Sequence, residues 1–86
     1  MLHFRWNEWN RDHATAHDIS VGEAEMVARS CKARNAGKNK FIAAGRGAAG
    51  RLIQVIFVVD PDGTAYIIHA RPLTDREKHR WRRRQE

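Results

Sequence analysis

The sequence predicts an α+β domain, with two N-terminal helices packed on a small antiparallel sheet and a basic helix closing the chain. Three stretches predict it. "SVGE" at 20–23 has the form of a capping box, in which the Ser hydroxyl accepts from the backbone of the Glu three residues on. "RLIQVIFVVDPDGTAYIIHA" is an apolar run, a tight turn and a second apolar arm, the pattern of a β-hairpin. "TDRE" at 74–77 is a second capping box, and it opens a segment that is almost wholly charged.

In chain order, "LHFRW" alternates and suits a short opening strand. Residues 7–17 form a modest first helix, with Trp6 and Trp9 as its core anchors. The second helix spans 21–30, with Val21, Ala24, Val27 and Ala28 as its apolar stripe. "CKARNAGKNK" is polar and basic and reads as a loop turning near Gly37. "KFIAAGR" is a strand, "GAAG" a turn, and "RLIQVIFVVD" a near-continuous apolar run of the kind found in strands covered on both faces. In "DPDG" Pro61 presets φ, and Gly63 is free to take a positive φ. Along "TAYIIHA", alternation puts Ala65, Ile67 and His69 on one face and Tyr66, Ile68 and Ala70 on the other. Pro72 ends the strand. The last helix has one apolar anchor, Trp81, so burial alone cannot hold it; it docks through that residue or waits for a partner.

Eighty-six residues make one domain, 1–86. A chain of this size buries only about 60–65% of its unfolded surface, so its core is small. A single cysteine, Cys31, excludes an intramolecular disulfide and suits a reducing compartment. No apolar run approaches the roughly 20 residues that span a bilayer, and "MLHFRWNEWN" lacks the pattern of a signal peptide. The expectation is a cytoplasmic protein without a membrane partner. Net charge is +6 and unevenly placed. Residues 31–59 hold Lys32, Arg34, Lys38, Lys40, Arg46 and Arg51 with no acid, and residues 71–86 hold seven bases against three acids. Such polarity suits a polyanionic partner, either nucleic acid or an acidic protein surface.

Two histidines in "HATAH", His13 and His17, stand four residues apart, one turn apart on one face of a helix. They are half of a zinc site at most, since a catalytic zinc needs three protein ligands and a structural one four. Acid/base or phosphate-contacting use is open to them, because imidazole titrates near neutrality; so is the plainer role of bonding a helix-end carbonyl. His69 and Arg71, two apart at a strand end, point to the same side and suit a phosphate, with a rim salt bridge from Arg71 to Glu77 or Asp75 as the alternative. Arg46 and Arg51 flank the "GAAG" turn, where they contact nucleic acid or stay solvated. "DREKHRWRRR" sets bases around an indole, which suits backbone neutralisation with base stacking. There is no P-loop, dinucleotide fingerprint, Ser/His/Asp order or carboxylate pair. An enzyme built from this chain works with His, Arg and Lys on an anionic substrate.

"FRWNEWNRDHATAHDISVGEAEMV" resembles the opening of the BrnT toxin family, through Phe4, Trp6, Asn10, His13, His17, Ser20 and Glu23. "FIAAGRGAAGRLIQVIFV" is similar to that family's Gly-Arg…Gly-Arg strand pair, through Gly45, Arg46, Gly50 and Arg51. "YIIHARPLTDREKHRW" resembles its closing motif, through Ile68, Ala70, Arg71, Thr74, Glu77 and Trp81. The match runs through nearly the whole chain in order. Three positions depart from it: Asp18 replaces a usual Gly, His69 a Ser or Thr, and Tyr66 a basic residue. The resemblance implies a RelE/ParE-like fold with a twisted sheet, and a type II toxin–antitoxin system. It implies a metal-independent endoribonuclease without cofactor that stops translation. It also implies a ribbon-helix-helix antitoxin that neutralises the toxin, assembly with it as a heterotetramer, and repression of their operon by the complex. On this reading His13, His17, His69 and Arg71 carry catalysis, while Lys40, Arg46, Arg51, Arg80, Trp81 and Arg83 bind RNA. The alternative is a toxin-fold protein that binds RNA or an antitoxin without cleaving.

Overall fold

The chain begins with a two-residue strand, β1 (His3–Phe4), and a short helix, α1 (Glu8–Ala14). A second helix, α2 (Val21–Ser30), leads into four strands: β2 (Ala33–Asn35), β3 (Lys40–Arg46), β4 (Leu52–Val59) and β5 (Thr64–Pro72). The last helix is α3 (Asp75–Gln85). This computed structural model describes residues 3–15, 17–30, 32–47 and 50–85. Leu2 of the expected opening strand, Ala16 of the first helix, Cys31 and the Ala48–Ala49 centre of the expected turn lie outside the described residues.

The sheet order is β1-β5-β4-β3-β2. Neighbours are antiparallel, except that β1 lies parallel to β5. The expected antiparallel sheet is therefore mixed. The chain leaves β1 through α1 and α2 and returns to its side only at β5, a long connection of the kind parallel pairing needs. The two helices cover one face. Ala14, Ile19, Ala24, Val27 and Ala28 meet Phe4, Ala43, Ile53, Val55, Phe57, Ala65, Ile67 and Ala70 in a single core. Fully burying each Val or Ile there contributes about 1.5–3 kcal/mol.

The first helix is shorter than the expected 7–17, and its end matters for the site. Asn7 caps it: its side chain accepts from Asn10 N at 3.0 Å, and Asn10 Oδ1 accepts from Asn7 N at 2.6 Å. Asn10 also donates to the Arg5 carbonyl at 3.0 Å, so this polar side chain, 1% exposed, is satisfied in the core. At the other end Thr15 is the C-cap and Asp18 takes a left-handed φ of 64°. His17 therefore sits in the turn and not on the helix face with His13. Trp9 is not a core anchor: α1 turns Asn10 and Ala14 inward, and the neighbouring indole is left 56% exposed. Trp6 is half-buried against the core and donates to Glu25 at 2.6 Å.

Two strand readings also change. Residues 33–35, expected in a loop, form the edge strand β2, paired Ala33↔Ala43 and Asn35↔Phe41. Every residue in it is exposed, so backbone pairing holds it and no apolar alternation marks it. β4 is buried through Ile53, Val55 and Phe57 on the helix side, but Gln54, Ile56 and Val58 opposite are only half-buried. Its second face is partly covered, not sealed.

The capping boxes divide. Thr74 and Glu77 form theirs completely, Thr74 Oγ1 accepting from Glu77 N at 3.2 Å and Glu77 Oε1 from Thr74 N at 2.9 Å. Ser20 Oγ accepts from Glu23 N at 3.0 Å, but the Glu23 carboxylate faces Arg51 at 3.3 Å. In the β4–β5 turn Gly63 takes φ 88°, as the "DPDG" sequence predicts.

Candidate functional site

A break in the β4–β5 ladder sets the position of His69. Phe57 pairs with Ile67, but Ile56 pairs with His69, leaving Ile68 as an extra residue. Beyond this bulge the buried position passes from Ala65 and Ile67 to Ala70. The expected grouping of His69 with Ala65 and Ile67 is thus overturned. Bulges re-aim a strand's side chains in this way, and here the bulge takes an imidazole out of the core and puts it at the surface beside Arg71.

His17 meets His69 there. Their rings lie edge to face, 6.1 Å between centroids. Partial burial, and next the charge of Arg71, hold the His69 imidazole below its ordinary 6.5; His17 and His13 act in the same sense. A neutral imidazole is thereby kept available near neutrality, next to a permanent cation. The turn carrying His17 is itself held, since Arg51 donates to the Asp18 carbonyl and pairs with Glu23. Arg51 is thus committed to the fold, and it braces the backbone one residue from His17. Gly47 packs on the same Glu23 carboxylate, where a Cβ would overlap it.

Arg71 makes two parallel hydrogen bonds of 2.7 Å to Glu77, the rim salt bridge that its sequence position allows. This bond and that from Thr74 N hold Glu77 at about 2, well below 4.5, and the pairing raises Arg71. His13 is turned elsewhere. Its Nδ1 lies 2.8 Å from the Trp9 carbonyl, and its ring stacks on the Trp9 indole at 4.0 Å.

The expected RNA-binding residues fall in several places. Trp81 donates to the Ala44 carbonyl at 3.2 Å, and the Arg46 guanidinium lies 5.5 Å from its ring. That indole anchors α3 to β3. Arg80 and Trp81 help line a cleft of about 420 Å³ between α3 and the uncovered sheet face. Arg83 lies beside Arg80 and Arg84 on the adjoining surface. Lys40 stands at the opposite end of β3 from Arg46, about 20 Å along the strand. Lys32, Arg34 and Arg84 line the same cleft; the sequence marked them only as members of basic runs. The acid-free run 31–59 contained the signal for the first two, but only the unmarked strand β2 brings them there. Among the described residues no three of His, Cys, Asp and Glu converge as metal ligands.

The molecule is thus an α+β protein with three helices and a five-stranded mixed sheet among its described residues, and a BrnT-like fold. A solved structure that shows this is the ribonuclease toxin BrnT of Brucella abortus. It superposes with a TM-score of 0.66 at 22% identity, over 87% of this chain and 99% of that one. No protein-family model and no curated protein sequence matches the chain. No helix among the described residues is long and apolar enough to cross a membrane.

Proposed function

We propose that this chain is the toxin of a toxin–antitoxin pair and an RNA-cleaving enzyme. The observation that carries the reading is the meeting of His17, His69 and Arg71 at the end of β5. Two imidazoles beside a guanidinium are the groups needed to cleave RNA without a metal. One takes the proton of a ribose 2′-hydroxyl as its oxygen attacks the adjacent phosphorus. The other gives a proton to the departing 5′-oxygen, and the guanidinium stabilises the charge that builds on phosphorus. The products are a 2′,3′-cyclic phosphate and a 5′-hydroxyl. His69, held toward its neutral form, suits the base and His17 the acid. The similarity to a ribonuclease toxin supports the same reading.

The wider proposal is a RelE/ParE-like, single-domain cytoplasmic protein that arrests translation. A ribbon-helix-helix antitoxin neutralises it within a heterotetramer. Lys40, Arg46, Arg80, Trp81 and Arg83 remain the proposed RNA contacts, joined by Lys32 and Arg34, while Arg51 braces the turn that carries His17. One observation favours a second reading, a toxin-fold protein that binds without cleaving: Glu77 already occupies Arg71 on both sides of its fork.

Purified protein incubated with single-stranded RNA in EDTA separates the two. Cleavage with cyclic-phosphate ends is expected, its acid limb in kcat/KM lying below pH 6.5. His17→Ala and His69→Ala should each slow it by about 10²–10⁴-fold. RNA left intact, or cleavage untouched in both variants, would refute the assignment.

A further inference from the structure

Trp9 is the largest side chain the fold leaves in solvent, and it is not left idle. The indole is 56% exposed, and the His13 imidazole lies on it nearly parallel, 24° between planes and 4.0 Å between centroids. His13 cannot swing freely, because its Nδ1 is bonded to the Trp9 carbonyl one helical turn back. The pair is a preformed aromatic surface on a helix rather than a loop. It also adjoins the proposed centre: His13 is near enough to act electrostatically on His69, which touches His17. The fold thus sets stacking groups, Trp9 and His13, close to the phosphate-binding group of His17, His69 and Arg71.

We propose that Trp9 and His13 form a nucleobase-stacking subsite, which seats a base of single-stranded RNA flanking the phosphate held near His17, His69 and Arg71. The inference rests on the ribonuclease reading and adds to it the part that binds a base. Stacking is what an exposed indole offers single strands, and it tolerates any base because every base has a π face. The surroundings favour a base over the apolar side of a protein helix. Glu8, Arg11 and Asp12 on the same helix are all exposed, so Trp9 is an isolated aromatic and not part of an apolar groove. Glu8 and Asp12 repel phosphate, so the strand presents a base here and its backbone to the guanidinium side. His13 on this account is a positioning residue that holds the indole by stacking on one of its faces.

The test uses the intact protein and a short labelled single-stranded RNA carrying 2′-O-methyl groups, which cannot be cleaved, together with copies each lacking one base. Removing one particular base should weaken wild-type binding by about tenfold. Trp9→Ala should bind the full RNA about tenfold more weakly and lose nothing further on that abasic copy, while Trp9→Phe should stay within about twofold of wild type. Trp9 is exposed, so the fold tolerates all these changes. Trp9→Ala that binds and cleaves RNA like wild type overturns the subsite and leaves the ribonuclease reading standing. Trp9→Ala that loses only antitoxin binding gives the surface to a protein and likewise overturns it. Wild-type protein that neither binds nor cleaves RNA removes both.

Discussion

Asp18 takes a backbone conformation, φ 64°, that non-glycine residues adopt at a cost of about 1–2 kcal/mol. It is tolerated because a short polar side chain fits the left-handed region better than most. The resemblance places a glycine there, and the geometry supplies the reason: the chain must reverse between α1 and α2. Asp18→Gly is expected to preserve the fold and raise stability by up to about 1 kcal/mol, read in urea unfolding. Asp18→Val should lower it, since a β-branched residue fits that region worst. A gain with valine would contradict the assignment of strain. His17 rides on this turn, braced by Arg51, so the turn bears on the proposed chemistry as well as on stability.

The helix α3 depends on few attachments: the Trp81 hydrogen bond, the Arg46 guanidinium against its ring, and the Arg71–Glu77 clasp. The clasp is charge-assisted and bidentate, the strong form of such pairs. Glu77 is held at about 2 in the folded chain against an ordinary 4.5. The folded value is the lower, so the stabilisation is fully present above pH 4.5 and lost as pH falls through about 2. Glu77→Gln should therefore cost about 2 kcal/mol at pH 7 and approach wild type near pH 2. A difference that stays constant between those limits would show that the carboxylate's charge is not what matters. At neutral pH the clasp does not open by protonation. An anion that engages Arg71 has to compete with Glu77 for it.

Across the molecule the charge is segregated. The cleft beneath α3 gathers Lys32, Arg34, Arg80 and Arg84 from segments distant in sequence, and Arg83 extends the cluster outward. RNA binding should accordingly weaken steeply with salt. Neutralising about four phosphates of a single strand gives a slope near −3 in log K against log salt concentration. Arg80→Ala should reduce that slope by roughly 0.7. A salt-independent affinity would exclude this surface as a phosphate track.

Much of this was legible in the chain. The second helix, β3, β4, the hairpin at Gly63 and the Thr74 cap follow from signals that act over a few residues: capping side chains, turn residues and apolar spacing. The +6 charge and its placement likewise belong to composition. What lay beyond reach depends on partners far away in sequence. β2 exists because β3 offers it a backbone ladder, and its own side chains carry no sign of that. Trp9 is exposed because α1 turns Asn10 inward to bond Arg5. His69 left the core because the register with β4 slips by one residue at Ile68, and that slip brings it to His17 across a gap of 52 positions. Local preferences write themselves into short stretches of sequence; the meeting of two imidazoles at a sheet edge is a property of packing, and only the folded chain decides it.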